Sequence, residues 1–189
     1  MVTAGDVIEN PVTGETMRFV LTGRETNGEL LRIDMLVGPG GFATGEHVHP
    51  TQSERFSVVS GQLTLRVGGH EQVYTDGQQL TIPAGTPHVW WNSGPNDVRV
   101  MVEFRPAGRF AEFITTFFAL ARAGKTDHRG LPTNLFQLAV TFAEYRDVLY
   151  GSSPPLVVQR LLFATVGRLG RWLGYRADEP YHARAIDGV

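Results

Sequence analysis

The chain has 189 residues, 42% of them hydrophobic and 19% charged, which is room for one generous domain, or one domain with an appendage, around a real core. A formal net charge of −2 and a pI near 6.3 supply no global basic field, which argues against non-specific nucleic-acid binding. Cysteine is absent, so a disulfide scaffold, a thiolate nucleophile and Cys-ligated zinc or iron–sulfur are excluded, and any metal must rest on nitrogen and oxygen donors.

The N-terminal stretch from Met1 to Asp6 has neither the basic nor the apolar region of a signal peptide, and a cytoplasmic protein is expected. From there to Pro106, glycine and turn residues alternate with short β-branched or alternating runs: Met17–Leu21, Leu31–Val37, Arg55–Val59, Leu63–Val67 and Val98–Phe104. That rhythm predicts an all-β sandwich or barrel. Beyond Pro106 the apolar period becomes helical. Phe110, Phe113, Ile114, Phe117, Phe118 and Ala121 form one stripe, ended by Gly124. Leu135, Leu138, Ala139, Phe142 and Leu149 form a second, ended by Gly151. Ser153 followed by two prolines reads as the N-cap of a third helix, which carries Leu156, Val157, Leu161, Phe163, Ala164, Leu169, Trp172 and Leu173. Charge divides at the same place: residues 1–105 hold 12 acids and 7 bases, residues 106–189 hold 7 acids and 10 bases. The expectation is a β module over 1–105 and a helical extension over 106–189 that packs on the barrel or on a partner subunit.

The histidines carry the chemistry. His47 and His49 are two apart, so on an extended backbone their rings point the same way. Glu54 follows within a turn's reach, and His88 comes after the turn Pro83–Pro87. Three imidazoles and a carboxylate are a donor set for one divalent transition metal ion (Fe, Mn, Ni, Zn or Cu), and on a six-coordinate metal they leave two positions open. His70 in a hairpin turn, His128 in a helix–helix loop and His182 in the tail read as solvated side chains.

Two spaced patterns contain these residues. Gly41, His47, His49, Glu54 and Gly61 form the first, and Gly77, Pro83, Gly85, His88 and Asn92 the second, fifteen residues further on. Together they resemble the two sequence motifs of the cupin superfamily at every specified position. The resemblance covers roughly residues 30–105 closely. It implies a jelly-roll β-barrel, a double-stranded β-helix, with His47, His49, Glu54 and His88 converging on a metal. It also implies a homodimer formed through the barrels. The helical extension is similar to those of bacterial single-cupin proteins.

Strand parity sketches the pocket. With Glu54 inward, Phe56 faces inward and Arg55 outward; with His88 inward, so are Trp90 and Asn92. Gln52 stands near Glu54 as a polar positioner. The strand arginines all face out, and the single lysine, Lys125, lies beyond the β module. A phosphate-gripping isomerase would need such cations inside, so that reading ranks last. An apolar, aromatic-walled metal cup suits a small, largely apolar or aromatic organic molecule. The family resemblance implies a metal-dependent dioxygenase-like oxidoreductase acting on flavonol-like or similar enolisable substrates, with Glu54 as ligand and candidate base. A non-catalytic small-molecule binding or sensor protein is the alternative. Residues 154–175 combine arginines with Trp172, the makings of a membrane-surface helix, but packing on the first two helices is the preferred expectation.

Overall fold

The computed structural model describes residues 2–177 and the backbone of residues 184–185. His182 lies outside the described residues. Ten strands precede the helices: β1 (Asp6–Asn10), β2 (Glu15–Leu21), β3 (Leu31–Val37), β4 (His47–Val48), β5 (Ser53–Ser60), β6 (Gln62–Val67), β7 (His70–Thr75), β8 (Gln79–Ile82), β9 (His88–Trp91) and β10 (Val98–Arg105). They are followed by α1 (Phe110–Arg122), α2 (Leu135–Glu144), β11 (Tyr150–Gly151), α3 (Leu156–Trp172) and β12 (Arg184–Ala185).

All strand pairs are antiparallel, in a seven-stranded sheet of order β12-β1-β2-β3-β10-β5-β8 and a five-stranded sheet of order β11-β4-β9-β6-β7. Two such sheets carrying a cupin sequence signature, followed by helices, are the jelly-roll architecture expected. Alternation along the strands decides the inner face. Leu31, Ile33, Met35 and Val37 of β3 share it with Val98, Val100, Val102 and Phe104 of β10 and with Glu54, Phe56 and Val58 of β5, and all are buried. Leu63 and Leu65 of β6 and Trp90 of β9 face them from the other sheet, with Leu65 paired to Trp90. The arginines point out: Arg55, Arg66, Arg99 and Arg105 are exposed.

The helices share this core. Phe110, Phe113, Phe117, Phe118, Tyr145 and Val148 belong to the same buried apolar cluster as the strand residues. Asn134 caps α2, its side-chain oxygen accepting from the backbone amides of Phe136 and Gln137. Two helical expectations change. The second stripe does not stay helical to Leu149; α2 ends at Glu144, and the chain turns so that Tyr150–Gly151 adds as a strand beside β4. Ser153 does not cap α3 either. Pro155 occupies that position without a side-chain hydrogen bond, and the Gln159 amide donates instead to the carbonyls of Gly151 and Pro154. The first turn closes through the Val158 and Gln159 amides, which both donate to the Pro155 carbonyl, at 2.9 and 3.1 Å.

Candidate metal centre

Strand pairing assembles the four predicted ligands. His47 on β4 pairs directly with His88 on β9, His49 follows β4 by one residue, and Glu54 is the second residue of β5. Two turns hold these pieces in register. Gly85, at φ +80°, lets the Pro83–Pro87 reversal fold back so that its amide donates to the His49 carbonyl at 2.8 Å. Gly61, at φ +89°, joins β5 to β6 so tightly that a Cβ there would sit 2.8 Å from the Asp97 carbonyl oxygen.

Each imidazole is oriented by a backbone carbonyl at Nδ1: Gly45 for His47 at 3.0 Å, Val148 for His49 at 2.8 Å and Thr86 for His88 at 2.9 Å. A carbonyl oxygen only accepts, so every Nδ1 carries a proton and every Nε2 faces the common centre. Glu54 Oε2 lies 2.8 Å from His88 Nε2 and 3.4 Å from His49 Nε2. One donor atom from each of the four residues falls within 4.8 Å of all the others.

The electrostatics follow from burial and proximity. Burial would raise the Glu54 carboxyl, but the close approach of His88 Nε2, with that of His49 Nε2 beside it, outweighs burial and holds the group well below the ordinary carboxylate range. Burial, reinforced by the neighbouring His88 and His49, pushes the His47 imidazole down to about 3, so it stays a neutral donor. Burial opposes the charged form of His88 too, yet the Glu54 contact wins and its affinity for a proton is raised. His49 Nε2 is buried and has no hydrogen-bond partner in the structure. An orphaned, inward-pointing nitrogen is costly unless something ligates it, and that fits a metal ion held by His47, His49, Glu54 and His88. The donor set is the kind that suits first-row divalent metals, so the cluster could bind such an ion.

A cavity opens from this centre along the inner face of the larger sheet. His47, Glu54, Phe56 and Trp90 border it, as do Phe104 and Val102 of β10. Its opposite wall comes from the helical extension: Phe110, Phe113 and Phe117 of α1, with Phe142 of α2 and Leu149. Phe110 stacks on Phe104 with ring centroids 3.9 Å apart, and both rings pack edge-on against His49. Among the described residues no lysine or arginine lines the cavity. Its free volume is about 80 Å³. That is below the roughly 150 Å³ of an apolar cavity that admits benzene, so any larger ligand requires the phenylalanine wall to move.

Two expected pocket residues lie elsewhere. Gln52 is buried, but its amide donates to the Pro106 and Ala107 carbonyls and ties β5 to the entry of α1. The Asn92 amide donates to Val37, Gly38 and Asn96, and its oxygen accepts from Gly94, which shapes the loop between β9 and β10. Both face inward by parity, yet backbone carbonyls that lack strand partners claim their amides. Beside His47 and Glu54, three polar residues that line the cavity, Asn10, Glu15 and Thr44, were not singled out from the sequence. Burial, partly offset by the Thr13 hydroxyl that donates to it at 2.5 Å, pushes the Glu15 carboxyl up to about 7. The signal available was parity: Glu15 shares a face with Met17 and Phe19, an acid on an otherwise apolar stripe.

Residues 33–104 match the family of the cupin domain. Over 80 residues the chain is 34% identical to the quercetin 2,3-dioxygenase of Bacillus subtilis (strain 168), an overlap covering 42% of this chain and 24% of that protein. The chain thus spans about a quarter of the length of that curated relative. Among solved structures it is similar to a predicted oxalate decarboxylase from Thermotoga maritima, with 18% identity, TM-score 0.49, and 56% of this chain and 99% of that one covered. It is also similar to an RmlC-like cupin from Shewanella frigidimarina, with 24% identity, TM-score 0.45, and 55% and 86% covered.

Proposed function

Given that this chain is a cupin-superfamily protein whose cupin domain spans residues 33–104, we propose that it is a metal-dependent oxidoreductase of the dioxygenase type, acting on a small and largely apolar organic molecule. The observation that carries this reading is the convergence of His47, His49, Glu54 and His88 at one end of an apolar, phenylalanine-walled cavity without a cation. A divalent transition metal held by these four residues would bind a substrate oxygen and lower the pKa of its hydroxyl. The protein supplies the rest. Glu54 remains a carboxylate at neutral pH and can accept a proton at Oε2 from a group bound beside it. The three imidazoles are locked in one tautomer by carbonyls, so the donor set is preorganised before anything binds. Phe104, Phe110 and Phe113 keep water from the reacting end and favour an apolar substrate. The relative named as a quercetin dioxygenase supports the oxidoreductase reading over isomerisation. The lack of a lysine or arginine for phosphate supports it as well.

A non-catalytic binding role is favoured by one feature, the small volume behind the phenylalanines. Metal analysis of freshly purified protein, followed by oxygen uptake over a panel of enolisable aromatic and aliphatic compounds, separates the two. Stoichiometric metal with oxygen consumption is the expected result. Stoichiometric metal with ligand-dependent thermal stabilisation but no turnover would instead select the binding role. His47→Ala and His88→Ala are each expected to lower metal content at least tenfold while the protein stays folded. Full occupancy in the double variant would overturn the ligand assignment.

A further inference from the structure

We propose that α3 is a docking surface for an anionic lipid bilayer, lying in the headgroup plane with one apolar stripe inserted. The helix is attached to the protein by a narrow face. Gln159, Gly167 and Gly170 are its buried residues, and Phe163 stacks on Phe142 of α2. The side turned away holds Val157, Val158, Leu161, Leu162, Leu169 and Trp172, which fall on one face of a helical projection with Thr165 and Arg168 among them. They are exposed, with Val157 at 69%, Leu161 at 64% and Trp172 at 81%. Six large apolar side chains left in water on one helix face are uncommon for a surface with no partner.

Charge selects the occupant. Residues 148–177 contain Arg160, Arg168, Arg171 and Arg176 and no acid. Arg171 reaches Glu144 at 3.8 Å, while Arg160 and Arg168 make no ion pair among the described residues. On a helical projection Arg160 and Arg171 flank one edge of this face, and Arg168 falls just inside that edge, between Val157 and Leu161. From there long side chains can reach headgroup phosphates while the stripe sits below them. Docking α3 on α3 of a second copy would instead bring Arg160 and Arg168, which make no ion pair among the described residues, against the same cations of the other copy. No helix among the described residues is long and apolar enough to cross a membrane, so the helix lies on the bilayer. A groove beside α3 shares Phe142 and Leu149 with the metal cavity, which sets an apolar molecule dissolved in the bilayer next to the cavity wall.

Co-sedimentation of the full chain with vesicles of equimolar phosphatidylglycerol and phosphatidylcholine, and with phosphatidylcholine alone, tests this. Binding to the anionic vesicles is expected, falling with added salt, together with a blue shift of Trp172 emission that Trp172→Phe removes without abolishing binding. Each arginine changed to alanine is expected to weaken binding about fivefold, so Arg160→Ala with Arg168→Ala weakens it about twenty-five-fold. Leu161→Glu should abolish binding and leave the unfolding midpoint unchanged, since the side chain it replaces is exposed. Absence of binding to either vesicle, or Leu161→Glu binding as well as the parent, overturns the proposal. So does a dimer by sedimentation equilibrium that Leu161→Glu splits, because the face is then covered by a second copy.

Discussion

At the scale of single residues, the orientation of three imidazoles sets what the centre can do. His47 and His88 donate to carbonyls two residues back along the chain, Gly45 and Thr86, whereas His49 donates to Val148, 99 residues away. The ligand character of His49 therefore depends on the chain beyond α2. Glu15 makes a second residue-level statement. Its carboxyl is buried and its pKa raised from 4.5 to about 7, so between those values the folded protein holds a proton that the unfolded chain has lost. Stability contributed at low pH is then lost as pH rises through that window, on the order of 3 kcal/mol in all. Glu15→Gln, neutral at every pH, is expected to abolish this dependence. Urea unfolding at about pH 5 and about pH 8 should show the midpoint falling further in the parent than in the variant, the difference being the share of Glu15.

At the scale of elements, α3 is held on α2 by close backbone approach. A Cβ at Gly167 would lie 2.9 Å from the Ala139 carbonyl oxygen, and one at Gly170 would lie 2.8 Å from Val140 Cγ2 and 3.1 Å from the Phe136 carbonyl oxygen. In a free helix Gly→Ala gains about 1 kcal/mol from propensity. Here that gain opposes overpacking against rigid backbone, which costs about 1–3 kcal/mol. The second effect wins, and Gly167→Ala is expected to destabilise by about 1 kcal/mol, read as a lowered urea midpoint. Without the close approach α3 would tilt away from α2, and both its exposed stripe and the stacking of Phe163 on Phe142 would change.

For the whole molecule, the helices and sheets share one core. α1 lays Phe110 on Phe104 and His49, the loop at Gly130 rests against Thr13 and Thr44, and β11 extends the smaller sheet beside β4. The helical extension is thus a wall of the cavity, and its removal would strip the candidate metal centre of the Val148 carbonyl and open Phe104 to water. Deletion of residues 106–189 is expected to yield aggregated protein or a sheet pair with strongly reduced metal content. Solubility and metal analysis of the truncated chain check this.

The sequence by itself determined the β-then-α order, the inward parity of Glu54, Phe56, His88 and Trp90, the outward arginines and the four residues that cluster as candidate ligands. These depend on period-two alternation and on short turns around glycine and proline, which are local. Tertiary structure decided the rest. Val148 acts on His49 across 99 residues, Gln52 and Asn92 spend their amides on distant backbone carbonyls, and Glu15 joins the cavity because β2 lies beside β3. The stripe on α3 was legible as apolar, but that it faces water was not. A helical period says which residues lie together, and only packing says which side finds a partner.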